Sequence, residues 1–268
     1  MTEKKAVFKK IRLNKEIDEQ IWILLIDNPP VNALNFALFD EIESVIDRFS
    51  LDAVAKVMIL SSANERIFSS GADINEIILI SSPDEGKAMA LRGQRLCNKI
   101  ENMNKPVIAA INGLCIGGGN EIAMACHLRI VSDKAKFGQP EVNLGIIPGF
   151  GGTQRLTRLI GASWARQLIL TGDLISAQKA LELKLADIVV PAQDVLLSAM
   201  DLAKRIIRNS KICIEMAQKA IREGLRSSSF EEGLKIEIEC FRRVCESEDM
   251  KEGLRAYKEK RAPNFKDK

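Results

Sequence analysis

The chain has one histidine in 268 residues, His127, and that scarcity narrows the chemistry from the outset. Ser-His-Asp or Cys-His catalysis would have to run through it, as would any histidine-based metal site. His127 follows Cys126 at the end of an apolar helical segment and precedes the strand-like Leu128-Arg129-Ile130-Val131. It reads as a packed or capping side chain. Paired cysteines are missing too: Cys97, Cys115, Cys126, Cys213, Cys240 and Cys245 are scattered without a CxxC. That usage points to thiols in a reducing compartment rather than to disulfides or zinc. No apolar run approaches the length of a membrane span, and the longest, around Val57–Leu60 and Val107–Ile111, read as buried strands. Met1-Thr2-Glu3-Lys4-Lys5 resembles neither a secretory signal nor a transit peptide, so the expected location is the cytoplasm. The formal charge of +3 is small, acidic and basic residues are interspersed, and only Lys258 to Lys268 is locally basic. An extended nucleic-acid surface is therefore not expected.

What is present is an ordinary globular composition, 46% apolar and 28% charged, long enough for one large domain or a core with an appendage. Residues 6–13 and 20–27 read as two strands around a polar turn, the second ended by Asn28-Pro29-Pro30 because proline cannot donate to a ladder. Asn35 is the expected N-cap of a helix carrying Phe39, Ile42, Val45, Ile46 and Phe49 on one face. A strand at Val57–Ser61 and a loop at Ser62–Asp73 follow, then a helix from about Asp84 to Met103, a strand at Val107–Ile111, a turn at Gly113–Gly119 and a short helix at Asn120–Cys126. A strand at Leu128–Val131 leads into the Gly- and Pro-rich stretch Lys136–Gly152. From Pro191 onward, residues 191–209, 211–226, 228–247 and 248–260 read as amphipathic helices. The expected organisation is an α/β core, residues 1–190, with a helical C-terminal part, residues 191–268, that packs on its own core or on a partner subunit.

Three segments carry candidate chemistry. In Asn112-Gly113-Leu114-Cys115-Ile116-Gly117-Gly118-Gly119-Asn120-Glu121, successive glycines after a strand permit close backbone approach to a ligand. A helix starting there would aim free N–H groups at an anion or developing oxyanion, with Glu121 one turn in. The spacing is not that of a dinucleotide fingerprint or a P-loop. The alternative is that Gly117–Gly119 only let a helix pack closely on a sheet. Phe68-Ser69-Ser70-Gly71-Ala72-Asp73 is a small-residue turn that again exposes backbone amides, with Asp73 a local acceptor or cap; taken alone it reads as a surface turn. In Phe137-Gly138-Gln139-Pro140-Glu141, a glutamate among apolar residues and proline is poorly solvated, which raises a carboxyl towards general-acid range. A solvated loop carboxylate is the competing reading.

Together, Gly71-Ala72-Asp73, Gly117–Glu121, and Phe137–Glu141 with Pro148-Gly149-Phe150-Gly151-Gly152-Thr153-Gln154-Arg155-Leu156 resemble the crotonase superfamily, and within it the enoyl-CoA hydratases. The resemblance runs from about Ile21 to the C-terminus. It implies a spiral of repeated ββα units with a C-terminal helical trimerisation region, and a homotrimer or dimer of trimers. It further implies an oxyanion hole of the Ala72 and Gly118 amides and a catalytic pair, Glu121 and Glu141. Contacts to an acyl-CoA thioester are implied at Asn32, Leu34, Ser70, Ala72, Asp73, Ile74, Gly117, Gly149, Phe241 and Lys260, the lysine lent by a neighbouring subunit. Coenzyme A is then part of the substrate, with no separate cofactor and no metal.

Retention of both glutamates points to water addition across a 2-enoyl thioester. Glu121 is expected to orient and deprotonate water and Glu141 to protonate C2, the two titrating as a coupled pair. Competing readings are a Δ3,Δ2-enoyl-CoA isomerase or another enolate-forming member of the fold, and a non-catalytic RNA-associated relative. Asn75 and Val31 stand where many hydratases carry lysines, Asn120 where cysteine or alanine is common, and His127 where aspartate is common. The apolar stretch near Ile77–Leu91 is the expected wall of the acyl pocket.

Overall fold

A computed structural model describes residues 8–17 and 19–267. Its first strands, β1 (Ile11–Glu16) and β2 (Ile21–Ile26), pair antiparallel, Ile11 opposite Ile26. Of the expected strand at 6–13, residues 6 and 7 lie outside the described residues, and β1 begins only at Ile11. It is an edge strand with only Ile11 buried, so its polar Asn14-Lys15-Glu16 looks like turn sequence. Helix α1 (Phe36–Leu51) starts at Asn35, whose side chain accepts from the Leu38 amide, and buries Phe39, Ile42, Val45, Ile46 and Phe49 as the periodicity predicts.

A spiral follows in which each turn sends one strand to a large sheet and the next to a small one. β3 (Val57–Ser62) enters the large sheet and β4 (Ile67–Ser69) the small one; β4 lies inside the expected loop. After α2 (Ile74–Ile78) and α3 (Pro83–Glu101), β5 (Val107–Ile111) and β6 (Leu114–Ile116) repeat the step. Helix α4 (Gly118–Ala125) leads to β7 (Leu128–Ser132) and β8 (Lys136–Gly138), and a 3-10 turn spans Pro140–Leu144. Helices α5 (Gly152–Ile160) and α6 (Ala162–Thr171) precede β9 (Leu174–Ser176), α7 (Ala177–Glu182) and β10 (Ile188–Val190). The sheets run β1-β2-β3-β5-β7-β10 and β4-β6-β8-β9. This is the ββα spiral that the resemblance implies.

The central strands are buried on both faces, and side chains alternate between them. Trp22, Leu24, Met58, Leu60, Ala109 and Val131 face the main core with α1, α3 and α4, while Ile21, Ile23, Val57, Ile59, Ile108 and Ala110 face the opposite way. That second face is covered by Val195, Ala199 and Ala203 of α8 (Val195–Ile207). Helices α9 (Lys211–Arg226), α10 (Phe230–Cys245) and α11 (Glu248–Glu259) follow, with α9 and α10 packed on each other. The buried Asp249 carboxylate accepts from Ser210 Oγ (2.7 Å) and from the Lys266 and Asp267 amides (2.7 and 3.0 Å), tying the tail back to α9. No described helix is long and apolar enough to cross a membrane.

Candidate active site

The small sheet delivers the site. Its parallel strands β4, β6 and β8 lie side by side, and the chain leaving each one enters the same cavity. After β4 come Gly71 and Ala72; after β6, Gly117 and Gly118 at the start of α4; after β8, Gln139 and Glu141. Two glycines are required by backbone conformation, Gly71 at φ +93 and Gly117 at φ +53, regions L side chains rarely adopt. An added Cβ at Gly71 would lie 3.2 Å from the Gly118 nitrogen and 3.2 Å from the Ile116 carbonyl oxygen. The two turns are therefore in close backbone contact. Among the described residues, neither the Ala72 nor the Gly118 amide donates to a protein acceptor. Gly118 is the first residue of α4, where the orphan donors and positive dipole end favour negative charge.

Glu121 is almost completely buried, 1% exposed. Its Oε1 accepts from the Phe150 amide at 2.8 Å and the Gly152 amide at 2.5 Å. Burial, and secondarily the charge of Glu141, raise its pKa to about 8, against the opposing pull of the two amides and Arg155. Glu141 sits in the 3-10 turn and is less enclosed; burial raises its pKa to about 7. Each carboxyl thus holds its proton far more tightly than a solvated glutamate, and two such groups in one cavity titrate as a pair. With the pull of the two amides included, Glu121 remains the weaker acid of the pair.

The cavity is about 1500 Å³. Its apolar wall includes Ile74, Ile77, Ile80, Met89, Ala90 and Ile147, from α2 and the turn after it, the first half of α3 and the loop before α5. The expected single stretch near Ile77–Leu91 is thus two helices, α3 beginning afresh at its Ser82 cap and Pro83. Among the described residues no cluster of three or more His, Cys, Asp or Glu side chains is arranged to hold a metal ion.

The enoyl-CoA hydratase/isomerase family model matches residues 16–268. The chain belongs to that family. It is 42% identical to a probable enoyl-CoA hydratase of Bacillus subtilis, over 93% of this chain and 96% of that one. It is 39% identical to a short-chain-enoyl-CoA hydratase of Clostridium acetobutylicum, over 92% and 94% of the two chains. The crystal structure of an enoyl-CoA hydratase from Bacillus anthracis superposes with a TM-score of 0.92 at 35% identity, covering 97% of this chain and all of that one.

In this family member Ser70, Ala72, Asp73, Ile74, Gly117, Gly118, Glu121, Glu141 and Gly149 all line the one cavity. Asp73 caps α2, its carboxylate accepting from the Asn75 amide at 2.9 Å. Asn32 and Leu34 turn their side chains inward, and Ala33 and Asn35 line the cavity beside them. The Asn32 amide donates to Ser62 Oγ (2.7 Å) and the Phe68 carbonyl (3.1 Å) and so braces the β4 turn. Phe241, 65% exposed on α10, and Lys260, which ends α11, lie outside the cavity. His127 is the packed residue its context predicts: Nδ1 accepts from the Val107 amide at 2.9 Å, and burial lowers its pKa to about 4.

Three contributors carry no role in the sequence reading. The Phe150 and Gly152 amides reach Glu121 across about thirty residues, and no local pattern marks them. Gln139, fully buried, orients its amide by its neighbours: Nε2 donates to Glu141 Oε1 at 3.0 Å, Oε2 at 3.2 Å and the Gly117 carbonyl at 3.3 Å. Its place two residues before Glu141 was the only available signal.

Proposed function

We propose that this chain is an enoyl-CoA hydratase, adding water reversibly and syn across a trans-2-enoyl-CoA to give a 3-hydroxyacyl-CoA. The observation that carries the reading is the pair of poorly solvated carboxylates, Glu121 and Glu141, sharing a cavity with two amides from adjacent backbone turns. An isolated alkene resists water. Conjugation to a thioester changes this, because attack at C3 moves electron density onto the carbonyl oxygen. The Ala72 and Gly118 N–H groups are the donors for that oxygen, each worth about 3 kcal/mol if oxyanion-hole values hold.

In the reactive form of the pair the one shared proton sits on Glu141, the stronger acid at rest, and Glu121 is ionised. Glu121 then takes a proton from water as its oxygen bonds to C3. Glu141 gives its proton to C2. Delivery of the hydroxyl to C3 and the proton to C2 from one side of the alkene follows from both carboxyls facing the same side of the cavity. The Glu121 Oε1 atom stays on its two amides, so the other oxygen is the one left to act.

The CoA portion lies along Asn32–Leu34 and Ser70–Ile74, with Gly117 and Gly149 beside the thioester; no separate cofactor takes part. Phe241 and Lys260 serve a CoA bound to a neighbouring subunit in a homotrimer or dimer of trimers. Exposed apolar side chains on the C-terminal helices, among them Leu225, Phe230, Ile238 and Leu254, support such assembly. Cysteines without a disulfide pattern support a cytoplasmic location.

The test follows loss of the conjugated enoyl-thioester absorbance with purified protein and crotonyl-CoA. Glu121→Gln and Glu141→Gln are each expected to lower turnover at least about 100-fold while binding of the CoA ester persists. Either variant matching the wild type, or isomerisation of a 3-enoyl-CoA without hydration, refutes the reading.

A further inference from the structure

The loop Gly149–Gly152 holds Glu121 with its backbone, and its main attachments lead to one stretch of α3. Gln94 Nε2 donates to the Gly149 carbonyl at 2.9 Å. The Phe150 ring lies directly on Gly93, where an added Cβ would stand 2.0 Å from ring Cδ1 and 2.3 Å from Cγ. Arg155 Nη1 donates to the Phe150 carbonyl at 2.9 Å, and its Nη2 is held by Asn98 (2.6 Å) and Glu101 (2.8 Å) of the same helix. On its other edge the ring meets Gly118, where a Cβ would be 2.8 Å from Cε2. Phe150 is thus wedged in a slot between two glycines, with its own N–H on Glu121.

We propose that Gly93 and Gln94 are positioning residues for the reaction: they seat the Gly149–Phe150 peptide so that the Phe150 and Gly152 amides stay on Glu121 Oε1. A glycine in mid-helix weakens the helix, and the ring slot is what its missing Cβ provides here. One turn earlier the same helix presents Met89 and Ala90 to the apolar part of the cavity. The acyl wall and the support for the acting carboxylate are therefore one rigid element.

The inference rests on Glu121 acting in the proposed hydration, and its consequence is electrostatic. Glu121 faces Glu141 from the 3-10 turn, Arg155 from α5 and the neutral thiol of Cys97 from α3. The packed strands β4 and β6 bring only Ser69 and the neutral thiol of Cys115. Among the described residues, Glu141 and Arg155 are the charged groups that act on it, and its ionised form is favoured first by the two amides and then by Arg155. Moving the amides away makes Glu121 hold its proton to higher pH.

The test uses Gly93→Ala, Gln94→Met and the double variant Gly93→Ala/Phe150→Ala. Gly93→Ala should move the alkaline limb of the hydration profile, the one set by Glu121, upward by about one pH unit and disfavour the form with the shared proton on Glu141. Turnover below that limb then falls about tenfold, with KM within about twofold of wild type. Gln94→Met alters an exposed side chain, so it folds, and should shift the limb the same way by less. The double variant removes the ring that the new methyl group would strike and should bring the limb back towards its original position. Titration of the Glu121 carboxyl by 13C NMR in protein without substrate should show the same order. That readout separates failure of this inference from failure of the hydratase reading. Lowered melting temperatures with an unmoved limb and an unmoved carboxyl titration in Gly93→Ala and Gln94→Met would show the pair to be packing alone.

Discussion

Replacing Gly71 by alanine perturbs the proposed oxyanion hole without touching either carboxylate. Two costs follow from the geometry. At φ +93 an L residue is strained by about 1–2 kcal/mol. The new methyl would also stand 3.2 Å from both the Gly118 nitrogen and the Ile116 oxygen, so the Gly117–Gly118 turn or the Ala72 turn must shift by a few tenths of an ångström. The strain alone lowers the melting temperature by about 2–4 °C in a chain of this size. The displacement acts on chemistry separately. An amide moved off the developing oxyanion forfeits a contribution of about 100-fold in kcat, and the ground-state thioester, carrying less charge, is bound almost as before. The assay is crotonyl-CoA hydration over a range of substrate concentrations, with thermal unfolding of the same preparations. We expect kcat to fall about 100-fold and KM to change less than about threefold. A variant that melts lower yet turns over within twofold of wild type would refute the oxyanion reading of Ala72 and Gly118.

Hydration should show a bell-shaped pH dependence with limbs near 7 and 8, measured as kcat/KM from pH 5 to 10. Activity at pH 5 equal to the maximum would exclude a carboxyl pair sharing one proton. Because burial raises both glutamates, their ionisation costs stability as pH rises from the unfolded value, near 4.5, through 7 to 8. Glu121→Gln should therefore melt higher than wild type at pH 9, on the order of 5 °C, and converge with it at pH 4. His127 has the opposite sign: its folded pKa of about 4 lies below the unfolded value. Its contribution is complete above about pH 6.5 and lost on descent towards 4, so His127→Asn should flatten the stability profile there. Asp249→Ala strips an acceptor from Ser210 and two tail amides and should cost about 2–3 kcal/mol in urea unfolding; a loss below about 0.5 kcal/mol would contradict the role given to that carboxylate.

Much of the frame was legible because it is written in local periodicity. The α1 stripe behind Asn35, the runs at Val57 and Val107 and the four C-terminal helices all appear near their expected bounds. The small sheet was not legible. β4, β6, β8 and β9 are three residues each, too short for alternation to register, and their partners lie at least twenty residues away in sequence. The role of α8 was hidden for a related reason: its small residues Ala199 and Ala203 complement a sheet face that the sequence does not identify as needing cover. Within the site, Glu121 and Glu141 stood out by context. The groups that hold them, the Phe150 and Gly152 amides and the Gln139 side chain, act through contacts that only the assembled spiral creates.

The side-by-side order of β4, β6 and β8 makes the active site a stack of separable contributions. One winding supplies Ala72, the next Gly118 and Glu121, the third Glu141, and each set hangs from its own strand end. The glycine turns lock the levels together, but Glu121 and Glu141 are side chains carried on different levels, so either can be exchanged without altering the strand pairing. A fold arranged this way can keep its grip on a thioester carbonyl while exchanging the acid or base above it, so new reactions are reached by editing single layers rather than by redesigning the site.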